Sequence, residues 1–180
     1  MATQREKVEA RLAGNLMPDE RVLHAVAAFR IGGVRSTMIG GAAGIGGLAG
    51  AAGMALVARR GRTEVLQVPI RTPGRFILAL TSQRFVLFTL GGFIRPAPGK
   101  LVHSWTLDRL AWVSDPELVP GVAQALRVQV GVAGEGILGF EFPRLNVQEG
   151  RSMIERLTRE LADLDERGPV DAVDGPDAVS

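Results

Sequence analysis

Two histidines, His24 and His103, are the side chains of this sequence whose ordinary pKa suits proton transfer near neutrality. A general base works when it touches a nucleophile and is itself oriented by a third group. Neither histidine sits in such a motif: His24 lies within RVLHAVAAFRI and His103 within LVHSW, both of which read as strands. Both are expected at the edge of a core. The acids are dispersed and suggest no carboxylate pair, and HExxH, Walker and metal-ligand spacings are missing. The chain has no cysteine, which excludes disulfide and thiolate chemistry and fits a reducing compartment. Trp105 and Trp112 could line a pocket, but no convergent polar group accompanies them, and packing is the expectation. These residues predict a protein that is not an enzyme, with no cofactor, no metal and no small-molecule substrate.

The densest chemical signal is MIGGAAGIGGLAGAAGMALVARRGR, Met38 to Arg62, with seven glycines between Gly40 and Gly53. It admits three readings. Gly44-x-Gly46-x-x-Ala49 looks like the dinucleotide fingerprint of FAD and NAD proteins, in which glycines bring the backbone close to a pyrophosphate at a helix N-terminus. That fingerprint should follow a buried strand and be answered by an acid at the end of the next one; GVRSTMIGGAA is a poor strand, and EVLQV ends in Gln67 and Val68. The second reading is a membrane segment, since Met38 to Ala58 is uncharged and bounded by Arg35 and by Arg59 and Arg60. Few of its residues are large and apolar, however. If Arg21 to Ile31 joins the later sheet, both ends of the segment lie on one side of a membrane. The third reading is a helix or helical hairpin that packs on the domain, on a second copy, or shallowly into a bilayer. Gly40, Gly44, Gly47 and Ala51 would share one face of such a helix and permit close self-association. Each interior glycine costs about 1 kcal/mol relative to alanine, so the segment needs a partner if it is ordered.

Charge is uneven. Arg30 to Lys100 contains ten basic residues and one acid, Glu64, although the net charge of the chain is only +2. A basic middle attracts phosphates, on lipid or nucleic acid, or is simply a solvated arginine-rich surface. Nucleic acid ranks lower: there is no Tyr, and Phe85 and Phe88 should point to opposite faces of one strand, so they form no joint stacking platform. The expected lipid- or partner-binding residues are Arg35, Arg59, Arg60 and Arg62 as cations, with Ile45, Leu48 and Leu56 as apolar contacts.

The elements that must position these residues are mostly short strands. Val8, Leu12 and Leu16 predict an N-terminal amphipathic helix that ends at Pro18-Asp19. Arg21 to Ile31 reads as a strand, and Val65 to Val68 as a possible short one. RFILALTSQRFVLFTLGG reads as a hairpin turning at Thr81–Arg84, RPAPGK as a loop, and LVHSWTL and LAWVSDPE as further strands. ALRVQVGVAGEGILGFEFPR is a second hairpin, with Leu126, Val128 and Val130 on its buried side. Asn146 and Glu149 suggest a capped start for a helix from Asn146 to Asp165, whose apolar stripe is Met153, Ile154, Leu157, Leu161 and Leu164. The acidic tail beyond has too little apolar surface to fold. The charged start, MATQREKVEA, predicts no secretory signal.

FILALTSQRFVLFTL, GKLVHSWTLDRLAWVSD and LGFEFPRLNVQEGRSMIERL together resemble the GRAM and bacterial pleckstrin-homology-like domains, whose hairpin carries a hydrophobic-Thr-x-x-Arg-hydrophobic pattern. The resemblance covers roughly residues 74–164. It implies an α+β, mostly β fold: a curved antiparallel sheet capped by a C-terminal helix, here with an inserted Gly/Ala-rich helical segment. The expected organisation is an N-terminal helix and first strand over 1–37, the insert over 38–62, the domain core and capping helix over 63–165, and a disordered acidic tail over 166–180. Families of this kind act mainly as binding modules for lipids or proteins. The function expected is a membrane surface or a protein partner bound through the basic Gly/Ala-rich segment. The expected location is cytoplasmic, with peripheral attachment to the inner face of the cell membrane as one form of it. A dinucleotide-binding protein and a soluble self-associating scaffold remain the alternatives.

Overall fold

The computed structural model describes residues 2–32, 65–92, 96–120 and 124–167, together with the backbone of 56–58. Thr3 starts the first helix, α1 (Gln4–Leu12). Its hydroxyl accepts the Glu6 amide at 3.2 Å, while the Glu6 carboxylate accepts the Thr3 amide at 2.7 Å. This capping box satisfies two amides that a first turn leaves unpaired. α1 buries Val8 and Leu12 and stops there; Leu16 packs beside it from the linker.

The strands follow in the order β1 (Val22–Arg30), β2 (Leu56–Ala58), β3 (Arg75–Thr81), β4 (Arg84–Gly91), β5 (Ala97–Thr106), β6 (Leu110–Ser114), β7 (Glu117–Val119), β8 (Ala125–Val132) and β9 (Gly136–Pro143); α2 (Val147–Glu166) closes the series. They make one sheet of order β2-β6-β8-β9-β1-β3-β4-β5, with β7 paired to β8. Every ladder between these strands is antiparallel. The sheet curls until its far parts meet: the indole Nε1 of Trp105 on β5 donates to Glu135, in the β8–β9 turn, at 2.8 Å. The result is a curved antiparallel sheet closed by a C-terminal helix, α+β and mostly β, as expected.

The unbroken apolar runs of the β3–β4 hairpin have a simple cause: both faces of these strands are covered. Phe76, Leu78, Leu80, Phe85 and Leu87 face the inside of the curl, where Met153, Ile154, Leu157 and Leu161 of α2 complete the core. Ile77, Ala79, Val86 and Phe88 face the other way, against Val8 and Leu12 of α1. Phe85 and Phe88 thus lie in different clusters, as their spacing predicts. Each fully buried Leu or Phe contributes about 1.5–3 kcal/mol.

Four local expectations are corrected. Leu56–Ala58, the end of the stretch read as helical, is strand β2; its backbone pairs with β6, where an open strand edge offers unpaired donors and acceptors. β5 begins at Ala97 inside the stretch read as a loop; Pro98 is tolerated because β5 ends the strand order, where a missing N–H breaks no ladder. Val65 to Val68 forms no strand. The chain instead touches β9 at one parallel bridge, Pro69 to Ile137, beside Gly136, which has φ of 146° and where a Cβ would meet the Val68 carbonyl. Asn146 does not cap α2: its Nδ2 donates to the Ala27 carbonyl at 2.9 Å. β1 and β9 share only the pairs Phe29–Glu141 and Arg30–Phe140, and Asn146 bridges the gap where they have parted. Glu149 completes no box there, and burial pushes its carboxyl above the usual carboxylate range.

Candidate functional site

Of the expected binding residues, Arg35, Ile45, Leu48, Arg59, Arg60 and Arg62 lie outside the described residues, as do Gly40, Gly44, Gly47 and Ala51 of the expected self-association face. Leu56 is the first residue of β2, its backbone in register with Ser114 of β6. The structure does define the two ends of the segment that carries them. The chain leaves the sheet after β1 and rejoins the same sheet at β2 and again at β3, whose Arg75 is in register with Phe29 of β1.

The Thr-x-x-Arg hairpin turn is a structural clasp. All four of its residues grip the linker between α1 and β1. Thr81 Oγ1 donates to Glu20 Oε1 at 2.6 Å and accepts the Gln83 and Arg84 amides at 3.1 and 2.8 Å. The Ser82 amide donates to the Arg21 carbonyl at 3.0 Å, and the Arg21 amide donates to the Ser82 hydroxyl at 3.2 Å. Gln83 Nε2 donates to the Pro18 carbonyl at 2.8 Å. The Arg84 fork donates Nε to Glu20 Oε1 at 2.9 Å and Nη2 to Glu20 Oε2 at 2.7 Å. Burial raises the Glu20 pKa, but hydrogen bonds from Arg84, Thr81 and the Met17 amide, with the charge of Arg84, outweigh it and hold the carboxyl below its usual range. Buried charges persist when paired and hydrogen-bonded in this way.

His103 and the two tryptophans are accounted for by packing and local hydrogen bonds. His103 stacks on Trp105, ring centroids 4.8 Å apart at 10°, and its Nε2 lies 3.0 Å from the Arg71 carbonyl, which assigns the proton to Nε2. Trp105 on β5 and Arg109, in the turn between β5 and β6, both bond Glu135, stapling this end of β5 to the β8–β9 turn. Trp112 lies over Gly131, where a Cβ would come within 2.3 Å of its ring.

His24 is different, because it opens onto a cleft. Arg5 and Glu9 from α1, Arg21 just before β1, His24 in β1 and Arg156 from α2 line an open cleft of about 300 Å³. Arg5 pairs with Glu9 at 3.3 Å across an exposed helix turn, and Arg156 Nε donates to Glu160 at 2.8 Å. Burial, then the charges of Arg156 and Arg5, push the His24 pKa down. Sequence reading missed this cluster; its members come from three elements, and no local spacing announces it. Among the described residues no helix is long and apolar enough to cross a membrane, and no group of three His, Cys, Asp or Glu could hold a metal.

No family model and no curated protein matches the chain. Among solved structures it is similar to a pleckstrin homology domain from Shewanella amazonensis SB2B, with 12% identity, 88% of this chain and 98% of that one covered, and a TM-score of 0.43.

Proposed function

We propose that the chain is a non-catalytic, GRAM-like binding module that docks on an anionic membrane surface through the segment following β1. The observation that carries this reading is topological. β1, β2 and β3 belong to one sheet, so the chain departs and returns on the same body. A single crossing between Gly32 and Leu56 would leave its ends on opposite sides of a bilayer, and a module whose ends share one sheet meets the membrane from one side. Arg35, Arg59, Arg60 and Arg62 supply the attraction, about 1 kcal/mol each near an anionic surface, and it falls off within a Debye length. Ile45 and Leu48 add an apolar part that salt does not remove. On this reading the protein works in the cytoplasm, attached peripherally to the inner face of the cell membrane.

The test is co-sedimentation with vesicles. The protein should pellet with anionic vesicles, loosen without full release in high salt, and lose most binding when residues 38–55 are replaced by a short Gly-Ser linker that leaves β2 in place. Equal, negligible binding to neutral and anionic vesicles ends the membrane reading and leaves the same segment to a protein partner. Self-association through Gly40, Gly44, Gly47 and Ala51 is read separately: Gly44→Leu with Gly47→Leu should shift the oligomer distribution in analytical ultracentrifugation. The antiparallel ladders weigh against the dinucleotide alternative, whose cradle belongs to a parallel strand–helix–strand unit. Flavin or nicotinamide absorbance in the purified protein would restore it.

A further inference from the structure

We infer that the cleft between α1, the start of β1 and α2 binds a phosphoryl anion, carried either by a soluble phosphate compound or by a phosphomonoester lipid headgroup. Three guanidinium groups, those of Arg5, Arg21 and Arg156, line it against one carboxylate, Glu9. Guanidinium forks match the geometry of phosphate oxygens and form charge-assisted bonds roughly twice as strong as neutral ones. Glu9 answers Arg5, and Glu160 answers Arg156 from outside the cleft; among the described residues Arg21 has no carboxylate partner. The lining therefore carries uncompensated positive charge. The volume, about 300 Å³, is at the lower end of small-molecule sites.

The framework is rigid. The capping box fixes the turn of α1 that bears Arg5, Val8 and Leu12 dock that helix on the sheet, and Ser82 holds both backbone groups of Arg21. Met153, Ile154 and Leu157 seat the part of α2 that bears Arg156. The backbones that carry the cations are thus fixed before any ligand arrives, and only the arginine side chains remain to be ordered on binding. The cleft lies at the start of β1 and the chain leaves the sheet at its end, roughly 25–30 Å away at the rise of an extended strand. This site is independent of the membrane-docking reading.

His24 reports on the cleft. The charged groups around it are Arg5 and Glu9 from α1, Arg21 just before its own strand and Arg156 from α2, while its register partner on β3 is Leu80. An anion seated among the guanidiniums opposes their repulsion of the imidazolium, so binding and protonation of His24 favour each other.

The experiment follows His24 by NMR through a pH titration of the full chain, in inorganic phosphate and in sodium chloride of matched ionic strength. Phosphate should move the titration midpoint upward beyond the chloride control. Arg21→Gln and Arg156→Gln should each weaken phosphate binding roughly tenfold or more, the loss of one charge-assisted contact. Arg156→Lys should retain part of it, and folding is checked on the same spectra. An equal shift in chloride reduces the effect to screening and overturns the proposal; a phosphate shift that survives in the Arg21→Gln, Arg156→Gln double variant overturns the location. The source is read from phosphatidylcholine vesicles with and without phosphatidate. Phosphatidate-dependent binding lost in the double variant identifies a headgroup, whereas unchanged vesicle binding with loss of the phosphate shift identifies a soluble phosphate compound.

Discussion

Replacing Arg84 with alanine strands a buried charge. The Glu20 side chain has no exposed surface, and Arg84 is 12% exposed. Alanine removes both arms of the fork on Glu20 and the bond from Nη2 to the Asn15 carbonyl at 2.9 Å. Breaking such a pair from one side costs about 3–5 kcal/mol, because the remaining charge keeps its desolvation penalty. Thr81 and the Met17 amide still donate to Glu20, and the vacated space opens to water, so the lower end, ~3 kcal/mol, is expected. With an m-value of roughly 2 kcal/mol per molar urea, the unfolding midpoint should fall by about 1.5 M. Acid gives a second, independent signature. The Glu20 carboxyl is held below its ordinary value of 4.5, so the folded state binds fewer protons there than the unfolded chain. The stabilisation is present above pH 4.5 and is lost as pH falls through the folded-state value. The gap between wild type and Arg84→Ala should therefore narrow on acidification. A midpoint change inside experimental error at neutral pH, or a gap that widens in acid, would refute the clasp as described.

Thr81→Val deletes the hydroxyl that serves Glu20 and two turn amides and should cost about 1–3 kcal/mol, while Thr81→Ser, which keeps the hydroxyl, should stay close to wild type in the same denaturation series. Leu157→Ala empties a fully buried position between α2 and the sheet, and a loss of about 2–5 kcal/mol is expected by thermal or urea unfolding; no loss would mean that α2 is undocked. Gly150→Ala sets two effects against each other. Helix propensity gains about 1 kcal/mol, but the new Cβ would sit 2.4 Å from the ring of Phe142, itself fully buried. Overpacking of about 1–3 kcal/mol should win, giving a lower melting temperature, and a rise would show that the ring yields freely.

What the sequence made legible was whatever local periodicity encodes. The α2 stripe, the alternation of Leu126, Val128 and Val130, and the opposed directions of Phe85 and Phe88 follow from the helix and strand periods. The Thr-x-x-Arg pattern located the hairpin without revealing its work, because its chief partner, Glu20, lies 61 residues before Thr81. β5 was obscured by Pro98 and Gly99, which read as turn residues unless the strand is known to be an edge. α1 carried a readable start signal, Thr3-x-x-Glu6, that the apolar spacing of Val8, Leu12 and Leu16 overshadowed. The basic cleft was invisible for a different reason. Arg5, Arg21, His24 and Arg156 are neighbours only because α1 and α2 pack at the same end of β1, and no one-dimensional pattern expresses that.

The separation of β1 from β3 sets the order in which the chain can assemble. The turns of β3–β4 and β8–β9 close short loops, whereas residues 30–74 intervene between the paired Phe29 and Arg75. Closure entropy grows as about (3/2)RT ln n, so a ~45-residue loop is roughly 2 kcal/mol harder to close than a four-residue one. The two hairpins can form locally, and the arm made of α1, the clasped linker and β1 is expected to dock after them. That arm supplies one layer of the outer core and the Glu20 partner that the waiting turn lacks. Folding speed in this domain should accordingly follow the length of the segment between β1 and β3, and trimming it should quicken folding more than it strengthens the final structure.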